Sequence, residues 1–332
     1  MSSLKVVVFG ANSFSGQDFV DLLLDNPATE VFGVSRSPER DDLFLRYKLG
    51  RDLSRYRYYQ LDMNYHMEKI LALLDLEKPA YIVNFSAQSE VAPSWDHPED
   101  WFQTNTVALS KLVNHLRRQT YLRKYVHISS PEAYGSCIGR VLESAPLNPS
   151  TPYAASKAAA DMILNVYAKQ YQFPVVTVRA TNVYGARQQL FKIIPRTVIY
   201  LMAGKRIELH GGGKAVKSYI HVRDVSHGEL AIMERGEIGQ IYNLSPDQGV
   251  AVADIVMRIC HHLGKNFAES ITVVEERPGQ DAAYVIDSSK ARSKLNWAPK
   301  RSLETGLAEV VEWVEHYWER ILVENMSYQH KA

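Results

Sequence analysis

Tyr153-Ala154-Ala155-Ser156-Lys157 places a phenol and an amine four residues apart, so both lie along one face of a helix. Ser150-Thr151-Pro152 precedes them, and Thr151 suits the N-cap while Pro152 suits the first helical position. A phenol titrates near pH 10, which makes it a poor base at neutral pH. The Lys157 ammonium and the positive helix terminus both favour phenolate, and a shift of about 3 units needs roughly 4 kcal/mol. Tyr153 could then take a hydroxyl proton while hydride leaves the same carbon for a nicotinamide. Upstream, His127-Ile128-Ser129-Ser130-Pro131-Glu132-Ala133-Tyr134-Gly135 follows an apolar run. The Ser130 hydroxyl at the end of a strand could hold the same substrate hydroxyl. Glu132, in a turn bounded by Pro131 and Gly135, either takes an acidified proton beside the new carbonyl or is a solvated turn acid.

A second constellation lies near the N-terminus. Gly10-Ala11-Asn12-Ser13-Phe14-Ser15-Gly16 follows an apolar run and opens a helical pattern. Gly10 suits the tight turn and Gly16 the close approach of helix to strand, leaving the first-turn amides facing a pyrophosphate. Ser13 stands where the three-glycine pattern has its middle glycine, and a positive φ would strain it there. Without a ligand the same segment would be a plain strand–turn–helix. The second apolar run ends Val34-Ser35-Arg36-Ser37, where Arg36 suits a ribose 2′-phosphate unless it is an ordinary loop arginine, so NADP is favoured slightly over NAD. Asp62 could accept from an adenine amino group or be a plain loop aspartate.

The elements that must position these groups alternate. Strands are expected at Lys5–Phe9, Glu30–Ser35, Tyr56–Leu61, Tyr81–Phe85, Tyr125–Ser129 and Val175–Arg179. Helices are expected at Gly16–Leu24, His66–Leu76, Asp100–Arg118 and Tyr153–Tyr171. This order implies an α/β fold, a Rossmann-type doubly wound parallel sheet with ligands at the carboxyl ends of its strands. We expect a dinucleotide-binding domain over 1–180, a smaller α/β substrate-binding portion over 181–324 and a frayed polar tail over 325–332. A last helix should follow Ser302, with Leu303, Leu307, Val310, Val311, Val314, Trp318 and Ile321 as its core stripe.

The 332 residues carry a formal net charge of +1, so no global field steers the chain to nucleic acid or an anionic membrane. The two cysteines, Cys137 and Cys260, have no ligand spacing, which argues against a disulfide scaffold or metal site and fits a reducing compartment. No signal-like or membrane-length apolar run is present, and a cytoplasmic location is expected.

With these motifs in place, the chain resembles the extended short-chain dehydrogenases, and more narrowly the nucleotide-diphosphate-hexose 4,6-dehydratases of dTDP-glucose or GDP-mannose type. Ser129–Gly135 resembles their strand-end motif and Pro149–Lys157 their active-site helix. Arg179–Gly185 with Ile194-Pro195 resembles their nicotinamide- and diphosphate-side loop, and Arg277–Asp281 with Ile286-Asp287 and Leu295-Asn296-Trp297 resembles their C-terminal segment. The resemblance implies a tightly bound NAD(P) held by Gly10, Asn12, Ser13, Phe14, Ser15, Gly16, Arg36, Asp62, Met63, Ser86, Ala87, Gln88, Tyr153 and Lys157. It implies catalysis by Ser130, Glu132, Tyr153 and Lys157. The nucleotide sugar would meet Ser89, Ser130, Pro131, Glu132, Asn182, Lys192, Ile193, Lys217, Asn243 and Arg277.

The implied reaction oxidises C4 of the sugar, removes the C5 proton, expels water from C6 and returns hydride there. Two departures bear on it. Pro131 occupies the position of the acid that protonates the departing C6 oxygen, leaving either water or another group, with Glu90 a candidate, in its place, and Lys217 stands where an arginine is usual. Which nucleotide is bound stays open. A homodimer through the Asp100–Arg118 and Tyr153–Tyr171 helices is implied by analogy. An NDP-sugar 4-epimerase or decarboxylase would use the same Tyr, Lys and hydroxyl, and a non-catalytic NAD(P)-binding or RNA-binding Rossmann module would use none of this chemistry.

Overall fold

The computed structural model describes residues 3–275 and 283–331. Seven parallel strands form its central sheet: β1 (Leu4–Phe9), β2 (Thr29–Ser35), β3 (Tyr56–Gln60), β4 (Tyr81–Asn84), β5 (Lys124–Ile128), β6 (Val175–Ala180) and β7 (Ile241–Leu244). Their order is β7-β6-β5-β4-β1-β2-β3, so the winding reverses between β1 and β4. A crevice opens at the carboxyl ends of strands at such a point.

Both faces of the sheet are covered, which is why its strands read as continuous apolar runs. Along β1 the side chains alternate: Val6 and Val8 pack with Phe19, Val225 and Ile232, whereas Val7 and Phe9 pack with Ile70, Leu112 and Leu164. A third apolar cluster joins the helices Ile193–Met202, Val252–His262 and Leu303–His316 below the mouth of the sheet. Ser302 caps the last of these by accepting from the Thr305 amide at 3.1 Å. The stripe expected to run through Ile321 is divided at Tyr317 into two helices.

Three expectations are corrected. The sheet draws its seventh strand, and the helix Val222–Arg235 that packs under it, from beyond residue 180. The single helix expected over 100–118 is α-helical at Pro98–Phe102, widens to a π-helix at Gln103–Ala108 and returns to α at Leu109–Leu116. The wide turn lets Asn105 reach inward to Gln88 and Ser156. The tail is not frayed: up to Lys331 it lies against the crevice, anchored by contacts given below.

Candidate active site

Gly10 leaves β1 with φ +76°, and a Cβ there would lie 2.8 Å from the Phe85 and Ser86 backbone. A Cβ on Gly16 would lie 2.2 Å from the Gly10 carbonyl oxygen, so only glycine lets the helix Phe14–Leu23 approach the strand this closely. Ser13 avoids the strain expected of it. Its backbone is extended (φ −81°, ψ 163°) and its hydroxyl accepts from the Gly16 amide at 3.1 Å, making it the N-cap. Asn12 ties this turn to the strand beside it, its amide donating to Ser35 Oγ at 3.0 Å and its side chain to the Pro38 carbonyl at 2.8 Å.

The crevice, about 520 Å³, is lined by Gly10, Asn12, Ser13, Arg36, Asp62, Met63, Ser86, Ala87, Gln88 and Ser89. The glycine cradle and the first turn of the helix fit a dinucleotide pyrophosphate. Phe14 and Ser15 sit in that first turn.

Chemistry-bearing groups gather at the end of β5. Ser130 caps a short 3₁₀ turn, Pro131–Tyr134, and its hydroxyl accepts from the Glu132 amide at 3.2 Å. Pro131 fits there because the first residue of such a turn has no use for its N–H. The helix Pro152–Tyr171 starts as expected, with Thr151 accepting from the Ala154 amide at 3.1 Å. Tyr153, in its first turn, hydrogen-bonds Ser130, and the negative charges nearest its phenol include Glu132 and Glu90. Lys157 donates to the Ile128 carbonyl at 2.7 Å.

The electrostatics correct one expectation. Tyr153 is not poised as phenolate in the free protein: burial and the Glu132 charge push its pKa up, against the Ser130 hydrogen bond. Lys157 is instead the group drawn toward neutrality, lowered by burial to about 8 despite the Asp161 charge.

Beneath these groups lies a buried network that sequence reasoning did not single out. Asp161 accepts from Ser129 Oγ at 2.8 Å and from Arg179 Nη2 at 2.6 Å, and His127 Nε2 stands 3.4 Å from its other oxygen. Burial acts upward on Asp161, but His127 and Arg179 hold it down at about 2. Burial, helped by the Lys157 charge, lowers His127 to about 4 and keeps it neutral at pH 7. Arg179 also lies over the Tyr134 ring at 4.2 Å. Residues 153, 157 and 161 recur every four along one helix, the signal that could have revealed Asp161. Asn105 braces the same helix, donating to Ser156 Oγ at 2.9 Å while clasping the Gln88 backbone.

The other expected residues are placed unevenly. Lys192 pairs with Glu90 at 2.7 Å, at the edge of the crevice. Ile193 begins the helix behind Lys192 and packs into the third cluster. Asn182 donates to the Ser218 carbonyl at 3.2 Å, and Lys217 lies on the strand Val216–Lys217. Asn243 does not face the crevice: it is fully buried in β7, accepting from Tyr134 Oη at 3.0 Å and donating to the Asp287 carbonyl at 3.1 Å. Arg277 lies outside the described residues.

The tail supplies a wall of the crevice through Asn325, Ser327, Tyr328, Gln329 and Lys331. The Lys331 carbonyl accepts from Arg36 Nη1 at 2.8 Å and from Gln88 Nε2. His330 bonds Asp100 at 2.7 Å and stacks on His97, with ring centroids 4.6 Å apart.

The family model described as GDP-mannose 4,6 dehydratase matches residues 7–310. The chain belongs to this family. Members resembling it include the dTDP-glucose 4,6-dehydratase of Xanthomonas campestris pv. campestris, 31% identical over 263 residues, covering 74% of this chain and 75% of that protein. The Arabidopsis thaliana trifunctional UDP-glucose 4,6-dehydratase/UDP-4-keto-6-deoxy-D-glucose 3,5-epimerase/UDP-4-keto-L-rhamnose-reductase RHM2 is 33% identical over 246 residues, 73% of this chain. The alignment spans only 37% of that longer protein. Among solved structures, DesIV of Streptomyces venezuelae, a dTDP-glucose 4,6-dehydratase with NAD and TYD bound, superposes with a TM-score of 0.86 at 28% identity, covering 95% of this chain and 98% of that one. The family membership agrees with the resemblance read from the motifs.

Proposed function

We propose that the protein is an NDP-hexose 4,6-dehydratase, converting a nucleotide-diphosphate sugar to its 4-keto-6-deoxy derivative. One observation carries this reading: Glu132 sits in the turn capped by Ser130, and both groups act on the Tyr153 phenol. A base for C5 therefore stands beside the base for C4, whereas inversion at C4 alone needs no carboxylate there.

NAD(P), held by the Gly10–Gly16 turn and the crevice residues Arg36, Asp62 and Gln88, would supply the hydride acceptor and donor for this redox-neutral cycle. Tyr153 takes the C4 hydroxyl proton while Ser130 orients that hydroxyl and the carbonyl formed from it. The ordinary charge of a phenol in this pocket is neutral, and proximity of a cationic nicotinamide would draw its pKa back down. Glu132 then removes the C5 proton, made acidic by the adjacent carbonyl. Asn182 and Lys192 meet the diphosphate. The reading of Arg36 as a 2′-phosphate ligand, favouring NADP, stays part of this proposal; the DesIV structure named above was solved with NAD. A homodimer through the helices at 98–116 and 152–171 is also proposed, supported by their exposed Phe102, Val107, Met162 and Val166. No helix among the described residues is long and apolar enough to cross a membrane.

The test is a panel of dTDP-, GDP-, CDP- and UDP-hexoses followed by mass spectrometry. One of them should lose one water without net formation of reduced cofactor. Glu132→Gln should stall after C4 oxidation with reduced cofactor standing in the site. Product at the wild-type rate from that variant would remove Glu132 from its role.

A further inference from the structure

Expulsion of the C6 hydroxyl as water needs a proton, and Pro131 has none to give. Glu90 lines the same crevice as the cofactor cradle. Its segment is bonded to the start of the catalytic helix, because Ser94 Oγ accepts from the Tyr153 amide at 3.1 Å. In the free protein Glu90 is matched with Lys192, whose Nζ lies 2.7 and 2.9 Å from its two oxygens. The pair is partly open, with Glu90 18% and Lys192 35% exposed, so an anion can reach the ammonium.

We propose that Glu90 is the acid that protonates the departing C6 oxygen, and that substrate arms it by taking Lys192 away. This rests on the dehydratase reading. A diphosphate is a stronger partner for Lys192 than one carboxylate, since it brings at least two charges and several acceptor oxygens. Once Lys192 turns to it, Glu90 has lost its cation. The remaining groups around Glu90 are the phenol of Tyr153 on the catalytic helix, the phenol of Tyr328 on the tail and, through these phenols, the carboxylates of Glu132 and Asp100 and the guanidinium of Arg36, which the Lys331 carbonyl holds. None of these replaces the ammonium in direct contact with both carboxylate oxygens, and the diphosphate adds negative charge. A carboxylate so placed takes up a proton. The elimination then balances: the C5–H bond breaks with its proton passing to Glu132, the C5–C6 double bond forms, the C6–O bond breaks, and the Glu90 proton leaves with that oxygen as water.

The first readout needs no turnover. Titrating dTDP, and in parallel UDP and GDP, into the cofactor-loaded protein in buffers of low and high ionisation enthalpy reports the protons bound with the nucleotide. Wild type should take up about one proton near pH 7.5, and Glu90→Gln none. No uptake by wild type, or equal uptake by the variant, overturns the proposal. The second readout uses the sugar nucleotide that wild type dehydrates. Glu90→Gln should reduce cofactor normally, then eliminate water about 10²-fold or more slowly, lose the alkaline limb of the kcat–pH profile, and be partly rescued by Glu90→Asp. If Glu132→Gln stalls with reduced cofactor while Glu90→Gln keeps the wild-type rate and profile, Glu90 is not the acid and the dehydratase reading stands. If Glu132→Gln does not stall either, the dehydratase reading itself falls.

Discussion

The floor and the rim of the crevice are built on different terms. In the floor, Asp161, Arg179, His127 and Ser129 are all less than a tenth exposed and lock one another under Lys157. At the rim, Glu90 holds Lys192, and the Lys331 carbonyl holds Arg36 and Gln88. The floor's partners are permanent, because a buried charge left alone costs several kcal/mol. The rim's partners occupy the very donors that a dinucleotide and a diphosphate are proposed to use. On the proposed function, the reacting groups are fixed before ligands arrive and recognition proceeds by exchange of partners.

The sharpest way to break this contrast is Asp161→Asn. It leaves Arg179, 1% exposed, with a neutral partner, and should cost about 3–5 kcal/mol of stability in denaturant unfolding. A loss below about 1 kcal/mol would put the floor on the same footing as the rim. Next, Gly16→Ala drives a methyl toward the Gly10 carbonyl, 2.2 Å away, and should destabilise by about 1–3 kcal/mol while weakening dinucleotide binding.

Acid should act on the floor in two windows. His127 titrates at about 4 in the fold against 6.5 unfolded, so the unfolded chain binds more protons between those values and stability falls as pH drops through them. Asp161, held at about 2 against 3.8, adds a further loss below about pH 4. Unfolding free energies measured at pH 7, 5, 4 and 2.5 check this, and Asp161→Asn should flatten the lower window. The smallest effect belongs to the rim. Truncation after Glu324 should leave stability within about 1 kcal/mol and tighten dinucleotide binding a few-fold, since it removes the Lys331 carbonyl from Arg36 and Gln88. Weaker binding would make the tail a part of the cofactor site rather than its competitor.

What the sequence disclosed follows the same division. β1 to β6 were legible because strands buried on both faces are continuous apolar runs between turn signals. β7, Ile241–Leu244, was missed because Asn243 interrupts its apolar run and the Gly- and Pro-rich pieces beyond residue 180 hide the alternation of strand and helix. The cap at Thr151 and the glycine turn at Gly10 and Gly16 were legible from local spacing, whereas the pairing of Ser130 with Tyr153 came from the resemblance. The raised Tyr153 pKa was not, because it depends on burial and on Glu132 lying close in space. Asn243 read as a ligand residue but spends its amide on Tyr134 and Asp287, partners 109 and 44 residues away. The tail read as frayed because its composition is polar; its anchors, such as His330 on Asp100, are 230 residues distant.

The most direct test of the whole account follows a hydrogen. With substrate deuterated at C4, a transfer that begins at Tyr153 and passes through loss of water must deliver that deuterium to C6 of the product. Nuclear magnetic resonance should find the label in the new methyl group. Label retained at C4 of an inverted sugar, or washed into solvent, would contradict it.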